Sequence, residues 1–243
     1  MIRMLIISII IQIDVSAQGG IMPYLVSKKG ISVSSGATSS LAGKNIVVFG
    51  DSYPAGYGVA SGEKWPTLLA GLTSGIEVNH AVGGTVAQPT VLCRSDLDES
   101  LIPDYDTSYG VLIIAMGIND ANINNGAGSS SGYQSALTVF IDTCIARSWP
   151  AAKILVVPPA WIPQAGRDAY IGICSTTTAQ TESGQETYVA AASSAASSRS
   201  TLYIDVYNSV KSDSNKLTYI SADQYHYNAT GHNVLANLIF AAL

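Results

Sequence analysis

Charge is scarce in this chain. Of 243 residues, charged side chains make up 12% and apolar ones 47%, and the formal net charge is −5. No basic run occurs, which excludes the electrostatic footprint of a nucleic-acid binder and a polybasic membrane patch. The same balance excludes a disordered tail or a charge-rich rod. Cysteine and histidine are also sparse. Cys93, Cys144 and Cys174 show no Cys-x-x-Cys spacing, and His80, His226 and His232 form no HExxH arrangement. No metal site is therefore readable, and no cofactor is implied. No apolar stretch approaches the ~20 residues that a membrane-spanning helix needs.

What is present begins with MIRMLIISIIIQIDVSAQ, in which Arg3 precedes an apolar run from Leu5 to Ile13 and then Val15-Ser16-Ala17. This pattern predicts a signal peptide over residues 1–17, cleaved after Ala17, and hence a secreted protein; the alternative is an Ile-rich strand packed on the domain. Residues 18–43 read as a lead-in whose Ser, Gly and Ala content suits a flexible segment. Residues 44–243 are left as one folded domain, long enough to bury a sizeable core. If the compartment is oxidising, Cys93 and Cys174 are the expected disulfide pair. Cys144 falls on the apolar face Leu137, Phe140, Ile141, Cys144, Ile145 of a helical pattern, which predicts a buried thiol.

Short apolar runs rich in β-branched residues recur along the domain: Asn45 to Phe49, Ile76 to Asn79, Val111 to Met116, Lys153 to Val157 and Leu202 to Val206. Their length and composition predict buried strands. Helical patterns alternate with them. Trp65, Leu68, Leu69 and Leu72 form one apolar stripe, further patterns cover Tyr133 to Arg147 and Thr181 to Ser198, and a last helix is capped by Asn228 or Thr230. Alternation of this kind implies parallel strands joined by right-handed crossovers with helices on both faces. Ligands then bind beyond the carboxyl ends of the strands.

Ser52 stands at such an end, in FGDSYPAG, directly after the first predicted strand. A rival serine, Ser130, lies in Gly128-Ser129-Ser130-Ser131-Gly132, which matches G-x-S-x-G but follows a polar, turn-like stretch rather than a strand. A serine nucleophile needs a base, a group that orients the base, and donors for the developing oxyanion. His80, after the second strand, reads as a turn cap, and His232, within the last helix, as a surface residue. His226 follows Asp223 by three residues in a loop ending at a helix cap, so one turn could bring the carboxylate to the imidazole. After the second strand, VNHAVGGT carries the pair Gly83-Gly84, where a backbone N–H can approach a ligand unobstructed. After the third, AMGIND carries Asn119, whose amide can donate to an oxyanion.

FGDSYPAG, VNHAVGGT, AMGIND and DQYHYN occur in the order of the four diagnostic blocks of the SGNH hydrolases, also called the GDSL esterase and lipase family, and the chain from Lys44 onward resembles that family. The resemblance implies an α/β fold, a three-layer α/β/α sandwich around a five-stranded parallel sheet of flavodoxin-like type. It implies a carboxylic ester hydrolase with Ser52 as nucleophile, His226 as base and Asp223 as its partner. The implied oxyanion hole is formed by Ser52, Gly84 and Asn119, with Gly83 as the alternative glycine. Two positions depart from the family pattern: Tyr53 replaces the hydrophobic residue of GDSL, and Tyr227 stands where many members have proline.

The implied substrate is a small-molecule or carbohydrate ester. A secreted, Tyr-rich, weakly charged chain favours de-esterification of carbohydrates, deacetylation above all, over short-chain lipid or aryl esters. Trp161, Tyr170 and Tyr133 fall on loops at the same expected sheet edge and suit either a sugar-stacking face or core packing. A domain that keeps the fold only to bind glycans is the alternative of another class.

Overall fold

The computed structural model describes residues 40–88, 94–123 and 128–243. The predicted signal peptide, all but the last residues of the lead-in, and Cys93 lie outside them. Five strands, β1 (Asn45–Gly50), β2 (Ile76–Asn79), β3 (Tyr109–Ala115), β4 (Ile154–Val157) and β5 (Leu202–Tyr203), form one all-parallel sheet in the order β2-β1-β3-β4-β5. The expected five-stranded parallel sheet is thus observed.

Alternate residues of each strand enter different apolar clusters, which is how a sheet covered on both faces divides its side chains. Ile46, Val48, Val111, Ile113 and Leu155 pack with Trp65 and Leu69 of α2 (Trp65–Thr73) and Leu235 and Ile239 of α8 (Ala229–Phe240). Val47, Phe49, Leu112, Ile114 and Val156 pack with Leu137, Phe140, Ile141 and Cys144 of α4 (Ser130–Ala146) and Ala192 and Ala195 of α6 (Glu182–Ser198). Small residues along the buried side of α6 let it lie close to the sheet and to α4. The remaining helices, α1 (Ser52–Ala55), α3 (Ile118–Asn122), α5 (Gln164–Asp168) and α7 (Val206–Lys211), are short.

Several local expectations shift. Leu202 to Val206 was one apolar run, yet the strand stops at Tyr203, because the Asp205 carboxylate accepts the backbone N–H of Asn208 at 2.9 Å and turns the chain into α7. Ser129 caps α4 by accepting from Gly132 N–H at 3.0 Å and Ser130 opens the helix, so the Gly-Ser-Ser-Ser-Gly stretch is a helix start. Ile145, expected on the buried face of α4, is 39% exposed. Cys144 is a buried free thiol, pushed up to about 12 by burial, and Cys174 is disulfide-bonded. Among the described residues no helix is long and apolar enough to cross a membrane.

His232 overturns its surface reading: it is buried in α8, and its Nδ1 accepts the backbone N–H of Trp65 at 3.1 Å. It thereby caps α2, whose N-cap residue Lys64 makes no side-chain cap bond. Burial, with His226 nearby, lowers its pKa from 6.5 to about 4. The folded state holds this histidine neutral, so its contribution to stability is full above pH 6.5 and is lost as pH falls through about 4. Relative to His232→Asn, which does not titrate, the wild-type protein should lose up to about 3 kcal/mol between pH 7.5 and 4. Urea unfolding of both proteins at several pH values measures the difference.

Candidate active site

The carboxyl ends of β1, β2 and β3 and the loop before α8 converge on Ser52. At the end of β1, Gly50 is required by proximity: a Cβ there would lie 2.0 Å from the carbonyl oxygen of Ala115 and 2.6 Å from Cγ of Pro54. The chain then turns sharply into α1. Asp51 caps this turn by accepting Tyr53 N–H at 3.1 Å, which leaves Ser52 as the first helical residue at the sheet edge. Burial raises the Asp51 carboxyl to about 7; the Tyr53 N–H bond opposes the rise and the charge of Asp120 adds to it.

His226 reaches Ser52 from a compact turn. Ser221 N–H donates to the His226 carbonyl at 2.8 Å, and Gln224 adopts a left-handed φ of 72° to close the loop. Within it, one oxygen of Asp223 accepts the backbone N–H groups of His226 at 2.9 Å and Tyr225 at 3.1 Å and the Ser221 hydroxyl at 2.6 Å. The other oxygen lies 2.6 Å from His226 Nδ1. Burial by itself would raise the Asp223 pKa, but these bonds outweigh it and bring the group to about 2. A carboxylate facing Nδ1 keeps the proton on that nitrogen, so Nε2 presents its lone pair. Nε2 lies 2.9 Å from Ser52 Oγ. Burial lowers the His226 pKa, and Asp223 partly offsets the fall, so the imidazole is neutral at pH 7.

The two departures from the family pattern hold this loop in place. The Tyr53 hydroxyl donates to the Tyr225 carbonyl, and the Tyr227 hydroxyl donates to the Trp161 carbonyl at 2.7 Å. One tyrosine thus ties the histidine loop to the serine helix and the other ties it to the segment after β4.

Asn119, in α3 after β3, is buried beside the serine turn. Its Nδ2 donates to the Thr85 carbonyl at 3.0 Å and its Oδ1 accepts the Tyr170 hydroxyl at 3.3 Å. These bonds occupy the oxygen and one amide hydrogen, and the second amide hydrogen remains available. Of the two glycines after β2, Gly83 is the one in contact with the serine. A Cβ on Gly83 would stand 3.8 Å from Ser52 Cβ, and Gly84 adopts φ +84°, with the Arg94 guanidinium beside it. The segment that follows is pinned by Asp120, whose carboxylate accepts Ala87 N–H at 3.0 Å and Gln88 N–H at 2.9 Å. Burial raises this carboxyl to about 6 despite those bonds.

The GDSL-like lipase/acylhydrolase family profile matches residues 48–234. The chain belongs to that family. It is accordingly a carboxylic ester hydrolase, as the four sequence blocks imply. Solved structures agree on the fold. A lipase/acylhydrolase from Enterococcus faecalis superposes with a TM-score of 0.61 at 18% identity, covering 81% of this chain and 93% of that one. A protein from Lactobacillus plantarum gives 0.61 at 20% identity, over 82% and 95%. A GDSL-like lipase from Bacteroides thetaiotaomicron gives 0.55 at 16%, over 81% and 86%. No curated protein matches the chain by sequence.

Within this GDSL-family site, Asp223, His226 and Ser52 are hydrogen-bonded in sequence. His80 stands apart, its ring 5.1 Å from that of Phe49. Trp161, Tyr170 and Tyr133 are all buried, so they are packing and anchoring residues and not a sugar-stacking face. Among the described residues, Tyr57 is an exposed aromatic at the site, 60% accessible, with its ring centroid 4.3 Å from that of His226. The Tyr225 ring lies at the same distance from that of His226, tilted by 40°. Neither tyrosine, nor Arg94, carries a local sequence signal, since each reaches the site only through the fold.

The geometry predicts the titration of His226 directly. Its imidazole should protonate below pH 6.5, and Asp223→Asn should move that midpoint lower still, because the aspartate is the group that raises it. Ring nitrogen NMR on the two proteins measures both values; an unchanged or raised midpoint in the variant contradicts the contact.

Proposed function

We propose that this hydrolase cleaves esters by acyl transfer through Ser52 and that its substrates are acetylated carbohydrates. The observation that carries the catalytic assignment is the unbroken chain from Asp223 to His226 to Ser52, at 2.6 and 2.9 Å. In this reading His226 Nε2 takes the Ser52 hydroxyl proton as Oγ attacks the ester carbonyl, and Asp223 stabilises the imidazolium that results. The oxyanion is met by the backbone N–H groups of Ser52 and Gly84 and by the Asn119 amide, whose orientation the Tyr170 hydroxyl and the Thr85 carbonyl maintain. The imidazolium returns its proton to the leaving alcohol, and water, activated by the same histidine, releases the acyl group.

The exposed Tyr57 ring beside His226 supports a cyclic alcohol part, since an aromatic face at the rim of a site can stack on a sugar ring. The pattern of Leu5 to Ile13 followed by Val15-Ser16-Ala17 supports action outside the cell, after removal of residues 1–17.

Ser52→Ala and His226→Ala should each lower kcat on the order of 10⁶-fold, and Asn119→Ala about 10² to 10³-fold. A fluorophosphonate probe should label Ser52 and lose the label in Ser52→Ala; labelling that persists refutes the nucleophile. Because His226 must be neutral, kcat/KM should fall on the acid side with a midpoint below 6.5. Acetylated sugars, short acyl glycerides and aryl acetates assayed side by side test the substrate class, and a preference for glycerides would overturn it.

A further inference from the structure

Among the described residues, Arg94 is a cation without an ion-pair partner. Its guanidinium lies against Gly84: a Cβ built on that glycine would stand 2.8 Å from Nη1 and 3.5 Å from Cζ. Its Nε is buried and, among the described residues, has no hydrogen-bond partner. Outside the described residues, segments 89–93 and 124–127 contain no acidic residue and segment 1–39 contains one, Asp14. The site's own carboxylates are committed elsewhere, Asp223 to its loop and to His226, Asp51 to Tyr53 N–H, and Asp120 to Ala87 and Gln88 N–H.

The placement is built and not incidental. Val86 N–H donates to the Ser95 carbonyl at 3.0 Å, and a parallel bridge joins Val86 to Asp96, so the backbone next to Arg94 is tied to the segment that carries Gly84. The same guanidinium is close enough to Tyr170 and Tyr225 to act on both electrostatically. Tyr170 donates to Asn119 and the Tyr225 ring lies against that of His226, so Arg94 stands beside the groups of the ester-cleaving site. A partly buried guanidinium left unpaired is unfavourable until an anion fills its fork, and a carboxylate fits that fork bidentately.

We propose that Arg94 is a specificity-determining residue that binds a carboxylate of the substrate, so that the preferred esters carry an acidic group close to the scissile bond, as in an O-acetylated uronic acid. The inference rests on the ester-hydrolase reading of the same site and is tested so that the two can fail separately.

Two matched pairs provide the assay: mono-O-acetylated methyl glucuronoside against the corresponding glucoside, and 2-acetoxybenzoate against phenyl acetate. The wild-type ratio of kcat/KM, acidic over neutral, should exceed that of Arg94→Gln by about 10-fold to 100-fold in each pair, with Arg94→Lys between them. Raising the salt from 0.02 to about 0.5 M should lower the wild-type ratio, a test that needs no variant. Equal loss on acidic and neutral members in Arg94→Gln, or a wild-type ratio indifferent to both the substitution and salt, overturns the proposal. Calorimetry of Ser52→Ala with D-glucuronate against D-glucose needs no turnover. Selective glucuronate binding that disappears in the Ser52→Ala, Arg94→Gln double variant supports Arg94 even if no ester is cleaved, and no selectivity refutes it even if esters are.

Discussion

The close approach of β1 to β3 at Gly50 governs the rest of the site. Gly50 is the register partner of Ala115, and the absence of a side chain lets the serine turn settle on the Ala115 carbonyl. The same two strand ends lead into the short helices that carry Ser52 and Asn119. Any side chain at residue 50 would separate the strand ends, because the obstruction it meets is backbone and cannot rotate away.

A second constraint is the burial of polar groups around that junction. Asp51, Asp120, Asn119, His226 and His232 are all buried, and each except Asn119 is shifted in the direction that burial or its bonds dictate. Buried polar groups persist where their hydrogen bonds are met. Here those bonds join elements distant in sequence: Asp120 to the loop after β2, His232 to the start of α2, Tyr227 to the segment after β4. The network leaves little slack around Ser52, whose bond to His226 spans 174 residues. Preorganisation of this kind is what acyl transfer needs, since the donors must already face the oxyanion when charge develops.

Much of this was legible in the residues. Four of the five strands lie within two residues of where the apolar runs put them, because a buried parallel strand has few ways to satisfy both faces except with continuous β-branched residues. The fifth was cut short by Asp205, a capping bond that outweighs the apolarity of Val206. The blocks around Ser52, Gly84, Asn119, Asp223 and His226 were legible because each sits at a strand end or a helix cap, where local sequence and position coincide. The surface reading of His232 failed because its partner, a single N–H at the start of another helix, leaves no periodic trace. For Tyr133, Tyr170 and Trp161 the sequence leaves sugar stacking and core packing open, and the fold decides for packing, with all three buried.

The sequence by itself determined the family, the parallel sheet and the identity of the serine, histidine and aspartate, since motif order and apolar patterning are local properties of the chain. Only the tertiary structure decided what surrounds them. The tyrosines at positions 53 and 227 became clamps on the histidine loop, Tyr57 became an exposed ring at the site, and Arg94 came to rest against Gly84. The reason is physical: a side chain's partner across a fold is set by where the crossovers bring distant loops, and no spacing along the chain encodes that meeting.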